Sequence, residues 1–189
     1  CDFPCYADNW RYSDMAPNGW KIRPYGSGSI ALQIANAGQV TTPLQPRFLA
    51  VTPSAIANVT GDATAAVCSF SSEIYDIGNN YNNSTMTFTA PVTGVYTFSI
   101  AVMIYGMGIW HTRADINLVT TARTYASSLV NPYACMSGGY YKSGVITLEV
   151  PMTAGDTAYV ESIVYGSTKT VGQYSDASNW SSFSGRLVA

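Results

Sequence analysis

The sequence predicts an all-β protein. Short segments alternate apolar with polar side chains, turn-forming residues fall between them every several positions, and no segment sustains a capped helical period over three turns. Composition agrees, with 13% aromatic residues, fourteen of them Tyr, 47% hydrophobic and only 11% charged. An uncharged chain rich in Tyr, Thr, Ser and Asn suits strands whose outer faces are wet. Its apolar surface is ample to offset the entropy of ordering, which excludes disorder. Nine basic against eleven acidic side chains give a net charge of −2. That leaves no footprint for nucleic acid and no polybasic run for an anionic membrane. The longest apolar stretch, residues 95–105, is interrupted by Thr97 and Ser99 and is too short to span a bilayer. The balance points to an extracellular or virion surface rather than to a cytosolic enzyme.

Taken in order, residues 1–29 are rich in Asn, Asp, Gly, Pro and aromatic residues, and read as an ordered loop or lid. The chain opens Cys1-Asp2-Phe3 without an initiator Met. That reads as a processed or trimmed start, with a lipidated cysteine as the alternative. Ile30, Leu32 and Ile34 then alternate like a half-buried strand, Asn36-Ala37-Gly38 supplies a turn, and Gln39 to Thr42 returns. Pro43 and Pro46 end this hairpin, so the sequence divides into a segment 1–45 and a domain 46–189. In the domain, Phe48 to Val51 begins a strand, and Tyr96, Phe98, Ile100, Val102 and Ile104 share one face of the next clear one. Ile116 and Leu118, then Ile146, Leu148, Val150 and Met152, repeat the period of two. Thr153 to Asp156 turns into an alternating segment 157–165, and Phe183, Gly185 and Leu187 alternate near the end. Many short strands with frequent turns define a sandwich, barrel or jelly roll.

Four cysteines allow three pairings. Cys1 and Cys5 bracket a short Asp2-Phe3-Pro4 turn and could close a local disulfide of modest stabilising effect. Cys68, in the apolar run 65–68, and Cys135, after Asn131-Pro132-Tyr133, read as buried free thiols. The spacings fit no zinc site.

A more specific pattern lies in residues 70–98. Five residues separate Phe70 from Asp76, four separate Asp76 from Tyr81, six separate Tyr81 from Phe88, and five separate Phe88 from Gly94. Gly94-Val95-Tyr96-Thr97-Phe98 follows. This spacing resembles the signature of the globular head of complement component one, subcomponent q, which shares its fold with tumour necrosis factor. Ile100 stands where that family carries Phe or Tyr, and it preserves an apolar strand position. The resemblance runs from about Pro46 to Ala189 and implies a two-sheet antiparallel jelly roll that assembles as a homotrimer. Phe88, Tyr96 and Phe98 are core candidates, each contributing on the order of 2–3 kcal/mol by burial. Asp76 is expected to fix a turn through backbone hydrogen bonds, and Gly94 to take positive φ at a hairpin entry. The collagen repeat that precedes many such heads is missing from this sequence. Residues 31–46 instead resemble the connector preceding such heads in phage tail-fibre proteins.

The residues argue against catalysis. The one histidine, His111, has no nucleophile elbow to serve, and Glu73, Glu149 and Glu161 are scattered. Gly26-Ser27-Gly28 lacks the Lys of a phosphate loop. No cofactor is expected. The alternative is calcium, which some family members bind, with Asp62, Asp76, Asp156 and Asp176 as loop carboxylates suited to a hard cation. Binding is the positive expectation. Trp110-His111, Tyr140-Tyr141 and Trp180 are aromatic groups flanked by Gly, Ser or Asn in expected loops, suited to stacking on sugars or to protein contacts. Trp10 and Trp20 are the candidate anchors of the N-terminal segment. The expected role is a trimeric, non-enzymatic virion surface protein, anchored through 1–45 to other virion or scaffold proteins and presenting 46–189 to a host glycan or protein receptor. The rivals are a secreted lectin-like or matrix protein of a cell and an appendage subunit.

Overall fold

The computed structural model describes residues 10–16, 19–24, 27–129 and 141–188, and places them in two compact units divided between Gln45 and Pro46. Among the described residues every regular element is a strand. Cys1, Cys5, Cys135 and Tyr140 lie outside the described residues, as does the side chain of Trp10.

The first unit is a meander of β1 (Trp10–Ala16), β2 (Gly19–Pro24), β3 (Leu32–Ile34) and β4 (Val40–Thr41), paired in that order. The hairpin read from Ile30 to Thr42 is present, with Gly38 at φ 86° in its turn. Within the expected loop over 1–29, β1 and β2 instead pair as antiparallel strands, and Gly19, which opens β2, takes φ 88°. No described side chain of this unit is buried.

The second unit holds β5 (Arg47–Val51), β6 (Ile56–Thr60), β7 (Ala65–Val67), β8 (Ser72–Ile77), β9 (Tyr81–Asn82), β10 (Thr87–Thr89), β11 (Gly94–Tyr105), β12 (Arg113–Thr120) and β13 (Thr124–Leu129). The remaining strands are β14 (Tyr141–Met152), β15 (Thr157–Tyr165), β16 (Val171–Tyr174) and β17 (Ser182–Leu187). One sheet runs β13-β12-β15-β10-β9, with β7 also on β15. The other runs β6-β16-β11-β17-β5-β8, with β14 also on β11. All pairs are antiparallel, which matches a jelly roll.

The period of two read along 95–105 is the physical origin of the core. Tyr96, Phe98, Ile100, Val102 and Ile104 all point inward from β11 and are buried. They meet Phe88 of β10, Ile116 and Leu118 of β12, and Ala158 and Val160 of β15 in one cluster. Its aromatic centre is tight. Phe48 stacks on Tyr81 at 4.7 Å and on Phe88 at 5.0 Å between ring centroids, and meets Phe183 edge-on at 4.9 Å. Tyr81 donates its hydroxyl to the Phe70 carbonyl at 3.0 Å, so its one polar atom is satisfied inside the core. Gly185 of β17 sits between Phe98 of β11 and Phe48 of β5 in the register. A Cβ there would lie 2.7 Å from a ring carbon of each. A smaller polar network closes the sandwich near Thr52. Gln173 donates Nε2 to the Thr52 hydroxyl and accepts from the Ser69 N–H, each at 2.7 Å.

Gly94 is a correction. It is not among the positive-φ glycines; it opens β11 opposite Met152, in a strand where any residue's backbone fits. The turns preceding it take other residues, so its place in the spacing pattern marks a strand start rather than a left-handed turn.

Candidate functional site

Three connections gather beyond the end of β11: residues 61–64, 106–112 and 166–170. At the tip of the middle one, Trp110 is 72% exposed and Ile109 is also exposed. His111, read as a loop side chain open to a ligand, is instead only 3% exposed. Its Nδ1 accepts the Gly108 N–H at 2.8 Å, which puts the ring proton on Nε2, and its own N–H donates to the Gly108 carbonyl at 3.0 Å. The ring packs over Gly61, at φ 137°, where a Cβ would stand 3.2 Å from Nε2 and collide with the Thr168 carbonyl. His111 is therefore a strut that closes the loop and holds Trp110 out. Sequence reasoning missed this because the residues that bury His111 come from connections distant in the chain.

Tyr141, expected in a loop, is the first residue of β14 and pairs with Tyr105 at the end of β11. Tyr174 of β16 completes a trio, 4.7 Å from Tyr141 and 6.0 Å from Tyr105 between centroids. Tyr174 donates its hydroxyl to Asp176 Oδ2 at 3.2 Å, and the Ser178 N–H donates to Oδ1 at 2.7 Å. The Ser178 N–H, then the Trp180 and Tyr174 side chains, hold the Asp176 carboxyl below its usual range. Trp180 is half-exposed on the same short connection, where Asn179 takes φ 54°. The structure thus links Tyr141 and Trp180 through Tyr174 and Asp176, two residues that sequence reasoning did not group with them. The spacing Tyr174-x-Asp176-x-Ser178 was the available signal, as an Asp followed by a donor two residues on favours a local turn.

From this trio an exposed strip continues along the outer face of β11 and β14. Met103 and Ala101 lie beside Val145, which is 68% exposed. Ser99 and Thr147 follow, their hydroxyls 3.4 Å apart.

The four candidate calcium carboxylates are separated and locally engaged. Asp62 accepts from the Thr64 N–H at 3.1 Å, Asp76 from the Tyr81 N–H at 2.9 Å and Asp156 from the Thr153 N–H at 2.8 Å. Among the described residues no three His, Cys, Asp or Glu side chains group as a metal site. Asp76 is thus the turn-fixing side chain of the spacing pattern, while Phe70, Tyr81, Phe88, Tyr96 and Phe98 are core. Cys68 is a free buried thiol, pushed up to about 12 by burial and so inert as a nucleophile at neutral pH. Trp20 lies in β2 opposite Ile34, about half exposed. Among the described residues no helix is long and apolar enough to cross a membrane.

The described strands of the second unit form a two-sheet antiparallel jelly roll with aromatic side chains exposed on its loops. The family model of the C1q domain matches residues 52–188, and the chain belongs to that family. Solved structures agree on the fold. The globular domain of zebrafish complement 1qA protein aligns with a TM-score of 0.53 at 17% identity, covering 77% of this chain and 98% of that one. Murine APRIL crystallised at pH 8.5 aligns with a TM-score of 0.51 at 9% identity, covering 76% and 99%. No curated protein sequence matches the chain. Domains of this class are typically non-enzymatic, commonly extracellular, and form homotrimers.

Proposed function

We propose that the chain is a trimeric attachment protein on the surface of a bacteriophage virion: a fibre tip, receptor-binding protein or capsid decoration. The observation that carries this reading is the contrast between its two units. The jelly roll buries a complete aromatic core, whereas residues 1–45 bury no described side chain and leave Trp20, Ile34, Val40 and Leu44 exposed. A unit that small needs a partner to cover its apolar side chains. It therefore serves as the anchor to other virion or scaffold proteins, and residues 31–46 resemble phage tail-fibre connectors. The strip formed by Tyr141, Val145, Met103 and Ala101 is the face that neighbouring jelly rolls cover in the trimer. That leaves Trp110 and Trp180 to contact a host glycan or protein receptor, and three copies multiply a weak contact by avidity. A second reading is a secreted lectin-like or matrix-binding protein of a cell, favoured by the animal origin of the similar domains.

The test is truncation. A chain lacking residues 1–45 should sediment as a folded trimer yet fail to enter the parent particle. Incorporation at normal occupancy would reverse the division of labour, and a folded monomer at micromolar concentration would overturn the trimer.

A further inference from the structure

The strands β8, β9 and β10 border an open surface depression of about 510 Å³. Its walls are unlike those of an apolar pocket. Asn79, Asn80, Asn82 and Asn83 line it together with Thr89, Glu73 and Pro91. Tyr81 contributes to the lining, but its ring is locked in the core against Phe48.

Two of the carboxamides are preset, those of Asn82 and Asn80. Asn82 accepts the N–H groups of Ser84 and Thr85 on Oδ1, at 2.9 and 3.2 Å, which aims its Nδ2 donors away from the turn. Asn80 uses Nδ2 on the Ile77 carbonyl at 3.4 Å, leaving Oδ1 as an acceptor. Its amide approaches the backbone so closely that a Cβ on Gly78, at φ 101°, would meet it at 2.4 Å. The Asn80 carbonyl is held in turn by the Thr89 N–H at 2.8 Å. Asn79 takes a left-handed φ of 57°, which an Asn tolerates better than most residues. Fixed donors beside fixed acceptors match hydroxyl groups, which both donate and accept. A lone carboxylate disfavours anionic ligands and suits a pair of adjacent hydroxyls.

We infer that this cleft is a subsite for a neutral glycan, held by the Asn carboxamides with Glu73 accepting from adjacent sugar hydroxyls. The inference rests on the jelly roll being an outward-facing binding module, and it uses neither Trp110 nor Trp180.

The experiment is binding of the full chain, in EDTA, to oligosaccharides ending in glucose, galactose, mannose or N-acetylglucosamine, with sialyllactose as the anionic control. Glu73→Gln removes the charge, and Asn82→Asp keeps the Oδ1 turn while deleting the Nδ2 donors. Each should weaken binding to a neutral glycan roughly tenfold at unchanged melting temperature, while Val67→Ala, on an exposed strand away from the cleft, leaves it intact. The inference fails if no neutral glycan binds, if binding survives both variants, or if binding requires calcium, which would assign the cleft oxygens to a cation. A protein that labels its target through Trp110 but binds no glycan overturns this subsite alone and leaves the attachment role standing.

Discussion

Gly185→Ala tests the aromatic centre of the jelly roll by adding a single methyl group. Two effects oppose each other. Replacing Gly by Ala restricts the unfolded chain and stabilises by about 0.4–1 kcal/mol wherever the native backbone accepts it. Gly185 lies in β17 without positive φ, so its backbone does accept Ala. The side chain does not fit. Its Cβ would stand 2.7 Å from Phe48 Cε1, 2.7 Å from Phe98 Cε1 and 2.8 Å from Phe98 Cδ1. Both rings are fully buried and stacked, Phe48 on Tyr81 and Phe98 on Phe183, so neither can swing aside. Overpacking of this kind costs about 1–3 kcal/mol, which exceeds the entropic gain. The net loss of about 1–2 kcal/mol should lower the melting temperature by about 3–8 °C for a domain of this size, read by circular dichroism. Gly108→Ala is the matched control, since nothing stands within 4 Å of its Cβ position and Ala keeps the N–H that binds His111. It should be neutral or slightly stabilising. A Gly185→Ala protein that melts at or above the parent would show that the two phenylalanines do not flank this glycine as described.

Two further outcomes follow from the loop end of the sandwich. In denaturant unfolding, Trp110→Ala should stay within about 0.5 kcal/mol of the parent, whereas His111→Ala should lose about 1–3 kcal/mol because it strips the Gly108 N–H of its acceptor; equal effects would refute the strut. The Asp176 carboxyl is held below the ordinary value of 3.8 by Ser178, Trp180 and Tyr174, so its contacts stabilise the loop above that pH and are lost as the pH falls through the lower folded-state value. Trp180 emission should thus hold steady above about pH 5, change only in strongly acidic solution, and lose that change in Asp176→Asn; a transition centred near neutrality would contradict the assignment.

The parts of this molecule that were legible in the sequence are those whose pattern is local. The alternation from Tyr96 to Ile104 defines one buried face without knowledge of any partner, and the spacing from Phe70 to Phe98 holds residues that the core needs at fixed intervals. Cys68 was readable as a buried thiol from its apolar run. The hairpin of β1 and β2 was hidden because its Asn, Asp, Pro and Gly content mimics a loop. Gly94 misled for a related reason: a glycine after Pro-Val-Thr suggests a left-handed turn, yet pairing with Met152 draws it into β11. His111 and the Tyr105, Tyr141 and Tyr174 trio were illegible because their surroundings are assembled across strands from connections far apart in the chain. A side chain's environment in an antiparallel sandwich depends on register and sheet order, which residue type alone does not encode.

The placement of β17 has a consequence for how the protein is made. This strand lies between β11 and β5 and bonds to both, so the middle of the seven-stranded sheet is filled by a segment translated after every other strand of the domain. Until it emerges from the ribosome, β5 and β11 each show an open edge, and Phe48 and Phe98 lack both Phe183 and the slot over Gly185. Folding must then wait for contacts of large sequence separation, which are slow to form. The nascent chain behaves as an interrupted zip whose last tooth is the central one. A polypeptide stopped short of residue 182 would be an aggregation-prone species for chaperones rather than a weakened version of the domain.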